Sequence, residues 1–329
     1  MKRFGVLVAM VALLGASCGG GDDGDGGSAS GGGTERTVLV DYRHDEFASA
    51  FLQYYPEKVQ IRPGDSVNFR QAWTGEPHSV TFGKVVDDFI ELFPKLAQYD
   101  GPEEALAAGE SQELVDQVLE VYSKFPAMSE GFEIAPAGAE PCFVEDLADV
   151  PVVRDVETDA VLVDAECPSR GKPLPPFTGR AALYNSGFIP YSGEGGNSFD
   201  LAIAEDATPG TYQYFCNYHF IFMAGSIEMV DPKAAIPSQD EVSKQAREEI
   251  KADAAGALDK MREGRAAKVG AKVPGVSYEG EEAPAVELPL AGRVTPEDTP
   301  VIINEFLPKS NTAKVGDKVT WTFDGSTHT

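Results

Sequence analysis

The sequence predicts a mainly β fold for residues 37–231, interrupted by a partly helical insertion at about residues 84–178. Apolar and polar residues alternate with a period of two within residues 58–69, which is typical of β-strands. Similar apolar segments flank a short stretch of potential metal ligands within residues 211–230. Hydrophobic residues make up 42% of the 329 residues, a globular composition that can supply a packed core.

Residues 1–18 have the features of an export signal. Two basic residues precede an apolar run at 6–14, and small residues then lead to Cys18. This order resembles a bacterial lipoprotein signal, in which the cysteine is lipidated and becomes the first residue. We therefore predict an exported lipoprotein on the outer side of a cell-envelope membrane, with Cys18 lipidated and the Gly/Ser/Asp-rich residues 19–36 as a flexible tether. Plain secretion or a periplasmic location is the alternative.

The charge of the chain restricts its partners. There are 53 acidic residues against 27 basic ones, which gives a net charge of −26. This argues against a nucleic-acid partner, because phosphate binding needs a basic face. A basic protein partner is compatible with the charge, and an acidic surface suited to a salt-rich habitat would have the same composition.

The predicted β domain carries strand signals on both sides of the insertion. A Pro-Gly-Asp sequence at 63–65 supplies a turn between two of them. Residues 45–56 are predicted as a short helix or a loop. The predicted strands are 38–40, 59–61, 67–69 and 80–82 before the insertion, and 181–183 and 199–203 after it.

The insertion at residues 84–178 has a helical pattern. Within residues 111–125, apolar residues recur every three or four positions, and Ser111 is a suitable N-cap. A Pro-rich segment with Cys142 and Cys167 follows. Two free thiols would be unusual in an exported protein, so we predict a disulfide between them. A second metal site is the alternative, although no histidine lies nearby in the sequence.

One short stretch holds Cys216, His219 and Met223 within eight residues. A thiolate, an imidazole and a thioether suit copper better than magnesium or calcium, which prefer oxygen. Apolar residues before Cys216 and after Gly225 predict a strand on each side, so we expect the ligands on a short loop. A copper site of this kind needs one more histidine, and His78 after the first strands is the candidate.

Residues 232–300 are predicted as a helix followed by a linker. Ser238 and Glu241 have the spacing of a capping box, and an apolar stripe continues the helix to about residue 264. A packing or spacer helix is the simpler interpretation, and a partner-binding helix is the alternative. Residues 265–300 contain Pro and Gly throughout, as a linker does.

Residues 313–329, within the predicted start of a second domain at 301–329, repeat an order of features found at 59–79. Both segments have an apolar strand, a Gly-Asp turn, a Val-x-aromatic strand and a histidine, which is His328 in the second copy. We expect the start of a second domain of the same kind, cut short at residue 329, since so few residues cannot bury a core. His328 would then belong to a second, incomplete copper site.

The halves of the first domain, about residues 37–83 and 179–231, resemble the cupredoxins, the plastocyanin-like type 1 blue copper proteins. The resemblance implies a Greek-key β-sandwich that binds one copper, cycling between Cu+ and Cu2+. It also implies a role for each candidate residue. His78, Cys216 and His219 would form the trigonal plane, Met223 would be the weak axial ligand, and Ser79 would lie next to the thiolate.

Apolar side chains surround His219 in the sequence. Tyr218 precedes it and residues 220–222 follow it. In cupredoxins the corresponding histidine often meets solvent among apolar residues, which implies a docking patch for a redox partner. Packing at the end of the sandwich is the equal alternative. His44 lies in the charged run 41–46 and is expected to be solvated.

These features together predict an electron-transfer protein at the cell envelope with a redox partner protein, and a basic partner is compatible with the charge. The alternative is a copper-binding or copper-delivery protein that carries no electrons. A further alternative makes the helical insertion a partner-binding module and the copper structural. A multicopper oxidase is disfavoured, because such enzymes need many histidines in His-x-His or His-Cys-His pairs, and this chain has four, none paired in that way.

Overall fold

The computed structural model describes residues 33–46, 49–71, 77–96, 98–99, 101–124, 134–158, 160–189, 197–266, 301–303 and 314–315. Several predictions concern residues outside these ranges. They are the signal with Cys18, most of the tether, the linker after the C-terminal helix, and His328.

The described residues contain twelve strands and five α-helices. The strands are β1 (Glu35–Val40), β2 (Ser49–Phe51), β3 (Tyr54–Tyr55), β4 (Lys58–Ile61), β5 (Ser66–Gln71), β6 (Ser79–Phe82), β7 (Cys142–Val144), β8 (Leu183–Phe188), β9 (Ser198–Ala202), β10 (Gly210–Cys216), β11 (Phe220–Met229) and β12 (Val301–Ile303). The helices are α1 (Lys84–Leu96), α2 (Pro102–Ala107), α3 (Gln112–Ser123), α4 (Pro136–Ala139) and α5 (Gln239–Ala266), with a 3₁₀ turn at Leu147–Asp149.

Two mixed sheets form a sandwich. One has the strand order β3-β1-β5-β9, and the other has the order β4-β11-β10-β6-β8-β7. Side chains from both sheets, such as Val38 and Phe69 from one and Phe82 and Tyr214 from the other, belong to a single buried cluster. The mainly β fold with a partly helical insertion, predicted from the sequence, is therefore confirmed.

Aromatic side chains fill the centre of the sandwich. Tyr214 makes edge-to-face contacts with Tyr54 and Phe69, at ring-centroid distances of 4.8 and 5.2 Å. Each such pair contributes about 0.5–1.5 kcal/mol beyond the burial of its surface. The alternation of buried and less buried residues along β1 and β5 places their apolar side chains on this face.

The prediction of a helix or loop at residues 45–56 is wrong. The structure places β2 and β3 there, and the side chains of Phe51, Tyr54 and Tyr55 are fully buried. β3 pairs with β1, and β2 pairs with β12 at the far end of the described chain. The partner of Tyr55 is Leu39, 16 positions away, and the partner of Phe51 is Val301, 250 positions away, so local patterning does not reveal the strands.

The insertion forms a second, smaller core against the outer face of the sandwich. The helix predicted within residues 111–125 is confirmed as α3. Ser111 is its N-cap, because the Ser111 side chain accepts a hydrogen bond from the N–H of Leu114. The sequence did not predict α1 as a separate helix. Its residue Phe89 packs with Phe215 of β10. Cys142 and Cys167 form a disulfide within this core.

We expect the double variant Cys142→Ser with Cys167→Ser to lose about 3 kcal/mol of unfolding free energy, because the disulfide closes a loop of 25 residues in the unfolded chain. Chemical denaturation of the oxidised protein and the variant measures this. Reduction of the wild-type protein is the matched control and should have the same effect. Equal stability of all three forms would contradict the prediction.

Helix α5 packs on the sandwich through one apolar face. Ala246 and Ile250 lie in a buried cluster with Phe51 and Tyr55. The Tyr55 hydroxyl donates a hydrogen bond to Asp253, at 2.7 Å. β12 pairs antiparallel with β2 beside this cluster. The domain boundaries beyond residue 231 remain a prediction.

Among the described residues, no helix combines the length and apolar character that crossing a membrane requires.

The predicted capping box at the start of α5 is present. The N–H of Ser238 donates to the Glu241 carboxylate at 2.7 Å, and the N–H of Glu241 donates to the Ser238 hydroxyl at 3.3 Å. We expect Ser238→Ala to cost about 1 kcal/mol of stability, measured by thermal or chemical unfolding. Ser243→Ala, further along the same helix, should change stability much less. Equal losses in both variants would contradict a capping role.

Candidate metal centre

His78, Cys216 and His219 come together at one end of the sandwich. One ligand atom from each residue lies within 4.8 Å of the other two, and all three side chains are buried. Pairing of β6 with β10 explains the approach, because Phe82 lies opposite Tyr214 and the strand ends carrying His78 and Cys216 therefore meet. Residues 138 positions apart in the chain thus become neighbours.

The Cys216 sulfur is held as a thiolate acceptor. The backbone N–H groups of Ser79 and Tyr218 each donate to Sγ at 3.4 Å. Burial alone would raise the pKa of the Cys216 thiol, but hydrogen bonds from His219 and His78 outweigh it and hold this pKa well below its usual range. A thiolate is the form of cysteine that binds metal.

His78 is fully buried between a thiolate and a carboxylate. Its Nδ1 lies 3.8 Å from Cys216 Sγ, and its Nε2 lies 3.0 Å from Asp41 Oδ2. Burial lowers the pKa of His78, but hydrogen bonds with Asp41 and Cys216 outweigh this and raise it to about 10. Metal binding at Nδ1 would therefore release a proton from the imidazolium.

Asp41 was not predicted as part of the site. It directly follows β1 in a charged run that is typical of a solvated turn, yet its side chain is fully buried. Its φ of 62° places it in the left-handed region, which aspartate tolerates better than most residues. The only sequence signal is a charged residue directly after a strand of buried side chains.

Met223 lies on a strand rather than on a loop. The prediction that Cys216, His219 and Met223 share a short loop, with a strand resuming after Gly225, is wrong in this respect, because β11 already begins at Phe220. A register shift between Phe215 and Cys216 lets β10 and β11 pair across the turn. Met223 is fully buried in the same cluster as Cys216, and its role as axial ligand remains a prediction.

A network of buried polar groups fixes the backbone beside Cys216. The N–H of Asn217 donates to the Ser79 hydroxyl at 2.8 Å, so Ser79 contacts this segment through its side chain as well as its N–H. Asn217 Nδ2 donates to the carbonyl of Gly138 in α4, at 3.0 Å. The insertion is thus hydrogen-bonded directly to the residue after the cysteine, and sequence analysis missed this link.

The four apolar residues near His219, Tyr218 and residues 220–222, are all half-buried. Phe220 and Ile221 pack against the core of the insertion. The ring of Phe220 lies nearly parallel to that of Phe89 in α1, with 6.2 Å between centroids. Tyr218 packs against the core of the sandwich and makes an edge-to-face contact with His219 at 4.4 Å. Packing thus involves residues on both sides of His219, and a docking patch for a redox partner remains a prediction.

Comparisons with known proteins find solved structures that match this chain with low sequence identity and low TM-scores. No family model and no curated protein matches the chain. An auracyanin from the photosynthetic bacterium Roseiflexus castenholzii is 15% identical with a TM-score of 0.26, covering 60% of this chain and 97% of its own. A mutant plastocyanin of fern is 14% identical with a TM-score of 0.22, covering 59% and 99%. Auracyanin A from Chloroflexus aurantiacus is 13% identical with a TM-score of 0.23, covering 60% and 100%.

The other candidate residues lie apart from these contacts or outside the described ranges. His44 is half-buried rather than fully solvated, because its ring stacks on Phe51 at 6.3 Å and its Nδ1 accepts a hydrogen bond from the N–H of Glu46. Cys18 and His328 lie outside the described residues, so the lipid anchor and the second copper site remain predictions.

Proposed function

We propose that this chain is a type 1 blue copper protein that carries electrons at the cell envelope. The observation that supports this best is the buried cluster of His78, Cys216 and His219, whose ligand atoms lie within 4.8 Å of one another. Two imidazoles and one thiolate, together with the thioether of Met223 four residues after His219, are the donor set of blue copper sites. Bound copper supplies one-electron exchange between Cu+ and Cu2+.

The donor set fits copper by its chemistry. A thiolate and a thioether suit the reduced ion, and imidazole suits both oxidation states, whereas magnesium and calcium prefer oxygen ligands. Zinc also accepts sulfur and nitrogen, but its structural sites are usually closed by four strong ligands. Here three strong donors converge, and we propose Met223 as the weak fourth.

The protein around the cluster holds its donors in place. Each of the three strong donors sits at a strand end or in the adjoining turn of a packed sandwich, and two N–H groups hold the sulfur. Such a rigid cluster changes little between oxidation states, so little reorganisation is needed when an electron moves. His219 is 6% exposed, whereas His78 and Cys216 are fully buried. We propose that electrons enter and leave on the His219 side.

We further propose that Cys18 carries a lipid and that residues 19–36 tether the domain to the outer side of a membrane. The net charge of −26 supports a basic redox partner protein. Attraction between such surfaces is screened by salt, with a Debye length of about 8 Å at physiological ionic strength. Electron exchange with a basic partner should therefore slow as ionic strength rises.

The visible and EPR spectra of the copper-loaded protein test this function. We expect an intense blue band and a narrow copper hyperfine splitting, which report a copper–thiolate bond. The variant without the Cys142–Cys167 disulfide should remain blue and serves as a control. A colourless protein that binds only Cu+ would overturn the proposal in favour of copper delivery.

A further inference from the structure

Asp41 is a fully buried carboxylate whose charge faces His78. Its Oδ2 lies 3.0 Å from Nε2 of the imidazole, and neither side chain is exposed to solvent. The other ring nitrogen, Nδ1, faces the sulfur of Cys216 at 3.8 Å. The imidazole therefore bridges a carboxylate and the metal-binding thiolate.

Backbone groups hold this carboxylate in position. Its Oδ1 accepts hydrogen bonds from the N–H groups of Phe51, at 2.7 Å, and Tyr42, at 2.5 Å. The N–H of Asp41 donates to the carbonyl of Gln53 at 3.0 Å. Three contacts from the β1–β3 connection thus fix a left-handed residue whose second oxygen points at the imidazole.

We propose that Asp41 is a positioning residue that fixes His78 with Nδ1 toward the metal and stabilises the oxidised over the reduced centre. This inference rests on the proposed function. A carboxylate that accepts the second ring N–H of a ligand histidine sets its tautomer and raises its basicity. A buried negative charge also favours the oxidation state with one more positive charge, because screening is weak away from water.

A purely structural role for Asp41 makes a different prediction. The hydrogen bonds to Phe51 and Tyr42 stabilise the turn after β1 in either case, so their loss changes stability. Only a positioning role changes the reduction potential and the state of the His78 ring. The experiment therefore measures both of these properties as well as stability.

Asp41→Asn is the test variant. Asparagine is similar in size and tolerates the left-handed conformation, but it removes the charge. We expect the preference for Cu+ over Cu2+ to rise about tenfold, which is about 59 mV in the reduction potential of a one-electron couple. Asp65→Asn is the matched control. Asp65 is also buried and accepts N–H groups of Thr34 and Arg62, but it lies at the opposite end of the β1–β5 pair and should leave the potential unchanged.

A second measurement does not depend on redox chemistry. In nitrogen-15-labelled wild-type protein without metal, we expect a slowly exchanging, downfield Nε2–H signal from His78, and its loss or upfield shift in Asp41→Asn. If that variant does not fold, the wild-type signal alone decides. A rapidly exchanging Nε2–H, or an unchanged potential in a folded variant, would overturn the inference. A wild-type protein without a blue band would instead overturn the proposed function, while the NMR result would still test the positioning of His78.

Discussion

Replacing Cys216 by serine is expected to abolish the blue colour completely. The serine hydroxyl is not ionised near neutral pH and is a hard ligand, so it cannot form the copper–thiolate bond that produces the absorption. Removing a residue that hydrogen-bonds to a metal ligand already weakens metal binding about 10- to 100-fold. We therefore expect loss of the thiolate ligand itself to weaken Cu+ binding by at least about 100-fold. Visible absorption and a competition assay with a Cu+ chelator measure the two effects.

The remaining cysteines of the described chain provide the control for this experiment. Cys142 and Cys167 are joined to each other and packed in the insertion core, so their replacement should lower stability and leave the colour. A blue Cys216→Ser protein would show that another group supplies the chromophore. That result would remove the basis for the proposed function, since Cys216 is the free cysteine of the described residues.

Sequence patterning predicted the candidate site better than it predicted the strands around it. Cys216 and His219 are close in sequence, and their soft donor types indicate copper without knowledge of the fold. His78 could be added because a copper site of this kind needs one more histidine, and the cupredoxin resemblance implies that His78 fills that place. The contact depends on the pairing of Tyr214 with Phe82, and that register is a tertiary property with no local signal.

The missed features share a physical reason. Asp41 lies in a charged run, and its buried carboxylate accepts hydrogen bonds from the N–H groups of Tyr42 and Phe51, which local periodicity does not encode. Phe51 and Tyr55 become strand residues through pairing with β12 and β1 and through packing on α5. The spacing of apolar residues shows which face of a helix or strand is buried. It does not show which distant helix or strand will cover that face.

Asn185→Leu is expected to be the most destabilising single polar substitution near the site. Asn185 is fully buried, and its Nδ2 donates to the carbonyls of Gly138 and Glu140 at 3.0 and 3.1 Å. Its Oδ1 accepts the N–H of Gly187 at 2.9 Å. Leucine has a similar size but cannot make these hydrogen bonds, and each buried group that loses its partner in this way, such as the Gly187 N–H, costs about 1–3 kcal/mol. We expect a total loss of about 4 kcal/mol in chemical unfolding of the metal-free protein.

The same substitution tests whether the insertion supports the metal centre. The carbonyl of Gly138 accepts hydrogen bonds from both Asn185 and Asn217, and Asn217 directly follows Cys216. Loosening α4 should therefore broaden the copper hyperfine lines as well as lower stability. Asn68→Leu is the control, because the Asn68 side chain donates to Asp200 near the surface, and its replacement should change stability by about 0.5 kcal/mol. An unstable Asn185→Leu protein with unchanged EPR lines would mean that the sandwich alone holds the centre, and that the insertion contributes stability without shaping the site.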